Sequence, residues 1–381
     1  MRVLVSAVSR FSTPTGICRH AANLVVCLNS QDAVDSVVLA IGKWQTGYFA
    51  ALLGKNRQQV RVEVVDIPNN SLHRNWWFAM GLPEMAARCA VDVVHLSFPV
   101  PVTRNRFRVP VVCTVHDLYP YDIPENFGYP RVILNRLFLR KCISEVDRLA
   151  CVSQATLSRL SHYFPDAVAK AVVIPNVAVA PSVPPKPLSS VARPYLLCVA
   201  QHRQNKNLDI VLKAFALARQ EKDLSDFVLI IVGAPGPKTK QLIALTRPLG
   251  LQNHVKFIDN VDDGELRWLY ENTAAVIAAS SIEGFGLPVL EALVTGSPVI
   301  CSDIPAFREV GGGHCKYFSL GPRADTRLAE QIAEVLRAQP RVAKAILPDL
   351  RNTGADYLNL YSTLISATSP ISESPNQFVT K

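Results

Sequence analysis

Two glutamates, Glu283 and Glu291, bracket a glycine turn and a proline: Glu283-Gly284-Phe285-Gly286-Leu287-Pro288. The apolar run 274–279 before them reads as a buried parallel strand, and Pro288 suits the first position of a helix. A strand therefore hands over to a helix through a glycine loop. The free amides of about residues 285–288, at the positive end of that helix, favour a phosphate or a sugar hydroxyl. Gly284 and Gly286 let the backbone approach a ligand closely. Glu283 in the loop and Glu291 about one turn into the helix could face one ligand from different heights, since carboxylates accept paired hydrogen bonds from neighbouring sugar hydroxyls. The plainer reading is a helix glutamate favoured by the dipole and a solvated loop glutamate.

Further candidates lie at the ends of other expected strands. Arg203 and Lys206 follow the strand 195–200 in a polar loop, where two cations three residues apart can converge on a diphosphate. Arginine would act there by its fork and lysine as a point charge. Their plainer reading is a pair of solvated surface cations. His116 closes the strand 109–115, and ligands of open parallel sheets bind beyond the carboxyl ends of strands. A lone histidine is more often structural, but this position favours a site. Asp117 beside it can orient the loop by accepting from nearby amides. Gly16 sits in the loop between the first strand, residues 3–8, and a helical pattern with apolar residues at Ala22, Leu24, Val25 and Leu28.

These loops need strands and helices in alternation to hold them. Strands are expected at 36–41, 60–65, 91–96, 148–152, 172–174, 227–232, 255–257 and 299–302, and helices at about 130–146, 154–163, 208–220, 237–249 and 263–272. Ser153 reads as a helix N-cap. The Gly-x-Gly-x-x-Gly fingerprint is missing, which argues against a nicotinamide or flavin site. No Asp-x-Asp triplet is present to hold a metal on a diphosphate. The expected division is a first domain over 1–178, a proline-rich linker over 179–194 and a second domain over 195–352. A helix over 353–366 and a polar, disordered tail over 367–381 complete it.

The chain has 381 residues, 49% hydrophobic and 19% charged, a globular composition and enough length for two cores. No window of about eighteen apolar residues offers a membrane span. The opening Met1-Arg2-Val3-Leu4-Val5 reads as a first strand, too short an apolar run for a signal peptide. Nine cysteines are scattered without a Cys-x-x-Cys pair, as buried core residues in a reducing compartment would be. The net charge of +9 is uneven: residues 1–180 hold 19 Lys/Arg against 12 Asp/Glu, and the remainder 21 against 19. A basic first half suits contact with a phospholipid leaflet or a lipid-pyrophosphate acceptor, or is simply a solvated surface. No nucleic-acid module is recognisable. Trp76 and Trp77 could form an exposed apolar patch, though half-buried packing is the commoner arrangement.

The Glu-Gly-Phe-Gly-Leu-Pro…Glu segment, the His116-Asp117-Leu118…Pro124-Glu125-Asn126-Phe127 segment and Arg203…Lys206-Asn207 together resemble the retaining glycosyltransferases of family four. The likeness covers most of residues 1–365. The resemblance implies an α/β, GT-B fold: two Rossmann-like domains facing each other across a cleft, with a C-terminal helix crossing back to the first. It implies a hexose transfer from a nucleotide-diphosphate sugar, with no metal and no cofactor. His116 and Glu283 would meet the transferred sugar. Arg203 and Lys206 would hold the diphosphate, Glu291 the ribose, and the backbone of Phe285, Gly286 and Leu287 would lie beside them. Residues 258–261 would read the base. Gly16 matches one of the two glycines many members carry in the first loop, and the usual Asn-Gly is replaced by Asn176-Val177. The style of the histidine segment favours GDP-mannose, with UDP-glucose or a UDP-N-acetylhexosamine as alternatives, and a lipid-linked saccharide acceptor for surface polysaccharide or O-antigen. Such a protein would be cytoplasmic, with possible contact with the inner face of the membrane. A GT-B epimerase and a non-catalytic nucleotide-sugar sensor are the rivals from other classes; retention of His116 and Glu283 speaks against the sensor.

Overall fold

The computed structural model describes residues 1–53, 59–177, 183–191, 194–338 and 349–368. Seven strands form the first sheet: β1 (Arg2–Ser6), β2 (Ser36–Gly42), β3 (Val60–Val65), β4 (Val93–Leu96), β5 (Val111–Val115), β6 (Arg148–Cys151) and β7 (Ala171–Val173). Six form the second: β8 (Tyr195–Val199), β9 (Val228–Val232), β10 (Val255–Ile258), β11 (Ala275–Ala278), β12 (Val299–Ser302) and β13 (Lys316–Phe318). Every pairing is parallel. A sheet covered on both faces buries its central strands, which is why β1, β4, β5 and β11 are mainly apolar and why even His95 of β4 and Thr114 of β5 are fully buried. β3, at one edge, instead exposes Arg61, Val62 and Val64.

The strand orders are β3-β2-β1-β4-β5-β6-β7 and β10-β9-β8-β11-β12-β13. Both are doubly wound, reversing direction between β1 and β4 and between β8 and β11. Residues 305–311 and 324–338 are helices that the periodicity did not single out. The second of these packs Leu328, Ile332 and Leu336 against the second sheet.

The last helix runs over Leu350–Thr368, longer at both ends than expected. Its Tyr357, Leu360, Tyr361 and Leu364 join Val3, Val5, Leu24 and Leu28 in one core cluster, so it belongs by packing to the first domain. Gly354 permits that approach, because a Cβ there would meet the Cys27 carbonyl oxygen at 2.5 Å. The described part of the expected linker lies against the second domain: the Lys186 amide donates to Gly264 O at 3.0 Å, and Val191 is buried. Of the expected tail, 369–381 lies outside the described residues. The tryptophans divide: Trp77 is buried, and Trp76 is 61% exposed. Cys89 and Cys315 are half-buried, the other seven cysteines are buried, and all are free thiols.

Candidate functional site

Where a doubly wound sheet reverses its order, neighbouring loops leave in opposite directions and open a crevice. The two crevices face each other across a single cleft of about 450 Å³. Gly16, His116, Arg203, Lys206, Glu283, Phe285, Gly286, Leu287 and Glu291 all line it. So do Asp259, Asn260 and Val261 at the end of β10.

The loop after β8 and the loop after β11 are tied to each other. The Ser281 amide donates to Asn205 O at 2.8 Å, and Asn207 Nδ2 donates to Ala279 O at 2.8 Å. Asn207 takes a left-handed backbone, φ 48°, a conformation its short side chain tolerates. Lys206 is ion-paired with Glu283. Glu283 also accepts from Ser280 Oγ at 2.7 Å and from the Tyr119 hydroxyl at 2.8 Å. Burial alone would raise its pKa, but the Lys206 charge and these donors outweigh burial and hold the carboxylate below its ordinary value.

Glu291 sits one turn into the helix Leu287–Thr295 and accepts from the Tyr270 hydroxyl at 2.8 Å. Here burial wins, and the pKa is raised despite Arg19 and Tyr270. Arg19, from the helix Gly16–Asn29 of the first domain, is ion-paired with Asp263 of the second. That pair crosses the cleft beside Glu291.

Gly286 caps its helix with φ 110°, which only glycine adopts without strain, and a Cβ there would press into the Phe307 ring at 2.8 Å. The Phe285 ring is buried in a cluster with Val152 and Leu290, so its amide rather than its ring is left for a ligand. Gly16 faces Leu287 across the cleft, with 3.4 Å between an added Cβ and Leu287 Cδ1.

His116 Nε2 lies 2.8 Å from Ser97 O. A carbonyl oxygen only accepts, so Nε2 carries the proton and Nδ1 is left as an acceptor. Burial lowers its pKa to about 4, which keeps the ring neutral. The His20 ring meets it edge-on, with centroids 4.6 Å apart and planes at 85°. His20 is itself held in a chain of buried polar groups whose proton positions follow from one end. Asn176 Oδ1, 2.7 Å from His20 Nδ1, is an acceptor, so Nδ1 carries the proton and Nε2 accepts from Thr114 Oγ1 at 3.2 Å. The Thr114 hydroxyl has one proton, so it accepts from His95 Nε2 at 2.8 Å. His95 Nδ1 in turn accepts from the Tyr361 hydroxyl at 2.6 Å. The crossing helix is thereby bonded into the layer behind His116. Asp117 Oδ1 accepts from the Tyr119 amide at 3.0 Å, the loop-orienting bond its position implied. Burial, reinforced by Glu283, lifts its pKa to about 6.

The domains touch at defined points. Ser153 Oγ and Thr156 Oγ1 both donate to Gly284 O, the latter at 2.9 Å. Glu309 accepts from the amides of Gln154, at 2.9 Å, and Ala155, so a carboxylate of the second domain caps a helix of the first. Tyr119, Arg19, Tyr270 and Glu309 were not singled out from the sequence. Tyr119, three residues after His116, and Arg19, three after Gly16, had nearness to a named residue as their only signal. Among the described residues, no three His, Cys, Asp or Glu side chains come together as metal ligands.

Two family models match the chain in succession, "Glycosyltransferase Family 4" over residues 14–178 and "Glycosyl transferases group 1" over 182–346. The O-antigen chain mannosyltransferase RfbU of Salmonella typhimurium is 29% identical over 313 residues, 78% of this chain and 80% of its own length. The serotype-specific mannosyltransferase WbdA of Escherichia coli is 30% identical over 273 residues, 65% of this chain but 33% of its own length. Among solved structures, HepE of Anabaena in complex with UDP and glucose superposes with a TM-score of 0.64 at 20% identity, covering 96% of this chain and 98% of its own. WaaG, a glycosyltransferase involved in lipopolysaccharide biosynthesis, gives 0.65 at 16%, covering 98% and 100%. These neighbours share the GT-B fold, two parallel-sheet Rossmann-like domains around one cleft. With both halves matched in order, the chain belongs to the group 1 glycosyltransferases of family 4.

Proposed function

We propose that the protein is a retaining, metal-independent transferase that moves mannose from GDP-mannose to a lipid-linked saccharide acceptor in O-antigen or related surface-polysaccharide synthesis. The observation that carries this reading is the convergence, in one cleft, of Arg203 and Lys206 with Glu283 and Glu291 from the second domain and His116 from the first. The mannosyltransferase relatives support the choice of sugar. The UDP-bound neighbour supports a nucleotide-sugar donor, and UDP-glucose or a UDP-N-acetylhexosamine is the alternative within the same chemistry.

In this reading Arg203, Lys206 and the amides at the start of the helix Leu287–Thr295 receive the diphosphate. Positive groups fixed there stabilise the charge that grows as the sugar–phosphate bond breaks. With cations and amides meeting that charge, the chemistry needs neither a metal ion nor a cofactor. Glu291 takes the ribose hydroxyls and residues 259–261 the base. Glu283 and the free Nδ1 of His116 accept from hydroxyls of the sugar. The C1–O bond to the diphosphate breaks with its electron pair going to the leaving group. The acceptor oxygen forms its bond to C1 on the same face, and its proton passes to the departing phosphate oxygen. Reaction then requires both domains together. The protein would work in the cytoplasm, against the inner face of the membrane that carries its acceptor.

The test is transfer from a panel of nucleotide sugars to a polyprenyl-diphosphate-linked saccharide, with the anomeric configuration of the product read by NMR and the rate compared with and without a chelator. A product of the donor's own configuration, made from GDP-mannose and insensitive to the chelator, is expected. An inverted product, or release of nucleoside diphosphate without transfer to any acceptor, would overturn it.

A further inference from the structure

A second cavity, of about 260 Å³, lies in the second domain beside the loop after β8. Two helices start at its wall. Leu208 and Asp209 open the helix Leu208–Ala218, and Lys238 directly precedes the helix Thr239–Thr246. The positive ends of two helices are thereby brought to one cavity. Arg203, Lys213 and Lys238 add three cations to the lining, against the single acid Asp209. Among the described residues none of the three has a carboxylate within 4.0 Å, not even Lys213, one turn after Asp209. Lys238 Nζ donates to Gln241 Oε1 at 3.0 Å, which steadies it and leaves it further protons to donate. The buried Leu208 and Leu242 supply an apolar wall. Arg203 is the residue that this cavity shares with the cleft, where its charge acts on Asp117.

We infer that this cavity binds a phosphate dianion, free or esterified to a small hydroxylated body, and that its occupation opposes the binding of a nucleoside diphosphate in the cleft. The phosphate lies among Arg203, Lys213 and Lys238, held by the guanidinium through its fork and by the two ammonium groups as point charges. Three cations and one carboxylate leave a charge of +2, which a dianion matches. The cavity is smaller than the roughly 300 Å³ at which sites for drug-sized ligands begin, so it suits a small phosphate and not a whole nucleotide sugar. The side-chain amides of Gln204 and Gln241 can bond the hydroxyls of an ester. The antagonism follows from the shared arginine. A guanidinium engaged in the cavity is lost to the diphosphate, and two anions on either side of one cation repel each other. Such coupling is reciprocal, so a nucleoside diphosphate in the cleft also weakens the phosphate. The coupling rests on the proposed role of Arg203 in receiving the donor; the affinity of the cavity itself does not.

Glycerol 3-phosphate, inorganic phosphate and glycerol are titrated calorimetrically into the purified full-length protein at constant ionic strength, for wild type and for Lys213→Ala with Lys238→Ala. Wild type should bind glycerol 3-phosphate and not glycerol, and the double variant should bind the ester about tenfold or more weakly. Inorganic phosphate binding as tightly as the ester supports the site with phosphate itself as the ligand, and tighter binding of the ester supports it with the monoester. GDP and UDP are then titrated with and without saturating glycerol 3-phosphate. The ester should weaken whichever nucleotide binds by about fivefold or more, up to a limit because the nucleotide keeps Lys206, and should not do so in the double variant. Neither lysine lines the cleft, so slow hydrolysis of the donor without the ester should be unchanged and shows that the variant is folded. No binding of either anion, or equal binding by the variant, overturns the inference. So does antagonism that grows without limit or persists in the variant, since the anion would then sit in the cleft. An ester that binds yet leaves nucleotide affinity unchanged overturns the coupling. If the ester binds as expected and neither nucleotide does, the proposed donor site fails and the cavity stands.

Discussion

Tyr119 of the first domain donates its hydroxyl to Oε2 of Glu283 in the second, at 2.8 Å, across the cleft. The same hydroxyl lies 3.3 Å from Ile282 O, but it has one proton, and the shorter, charged acceptor takes it. A residue of one domain therefore tunes the carboxylate proposed to meet the sugar in the other.

Tyr119→Phe removes that donor and leaves the packing of the ring. A hydrogen bond to a charged group is worth about 1.5–3 kcal/mol, so turnover should fall by about tenfold to a hundredfold. The sign of the pH effect follows from the same bond. Donors hold the Glu283 pKa down, so losing one raises it. The acid limb of the rate profile should move to higher pH in Tyr119→Phe. An unmoved limb would show that Glu283 does not govern it.

Gly284 approaches His116 so closely that an added Cβ would overlap the His116 carbonyl oxygen, with Thr156 Oγ1 also within 3.4 Å. Gly284→Ala should push the domains apart at that point while leaving the rest of the second domain intact. Misplacement on the scale of 1 Å can cost about a hundredfold, so turnover should drop by that order with nucleotide affinity little changed. Equal losses in affinity and turnover would argue that the contact shapes the donor site itself.

Tyr361→Phe cuts the hydroxyl that serves His95 Nδ1 in a fully buried site. An unsatisfied buried acceptor costs about 1–3 kcal/mol, to be read from the urea midpoint. Wild-type stability with unchanged activity would mean that the crossing helix is held by its apolar contacts alone.

Buried neutral histidines also make the fold sensitive to acid. His95 and His116 have pKa values lowered by burial to about 3 and about 4, and His20 is lowered well below 6.5 by the same cause and by its two neighbours. The unfolded chain binds protons near pH 6.5 and the folded one does not. Their stabilisation is therefore complete above pH 6.5 and is lost as the pH falls toward 4, by up to about 1.4 kcal/mol per pH unit for each ring. Urea midpoints between pH 7.5 and 5 should fall steeply, and less steeply in His95→Gln. A flat profile would place all three rings in contact with water.

The alternation of strands and helices was legible because both sheets are buried on two faces, which writes their central strands as plain apolar runs. The residues proposed for the site could be nominated from the sequence because doubly wound sheets concentrate ligands in the loops after their strands, and Gly16, His116, Arg203, Lys206 and Glu283 all lie in or at the end of such loops and line one cleft. Tyr119, Arg19 and Glu309 could not, because their partners are 164, 244 and 155 positions away and on the other domain. No local period encodes such a pairing. The last helix was drawn short because its end turns carry fewer buried residues than the Tyr357–Leu364 stretch that revealed it.

The central claim is that a nucleotide sugar sits in the second domain on Lys206 and Glu291. Its most direct measurement is the thermal shift of the purified protein with GDP-mannose and with a panel of UDP sugars, for wild type, Lys206→Ala and Glu291→Ala. A donor that raises the wild-type midpoint and leaves both variants unmoved is the predicted result, and its base is then named at once. Stabilisation of the variants equal to that of the wild type would contradict the site, and so would a wild type that no nucleotide sugar stabilises.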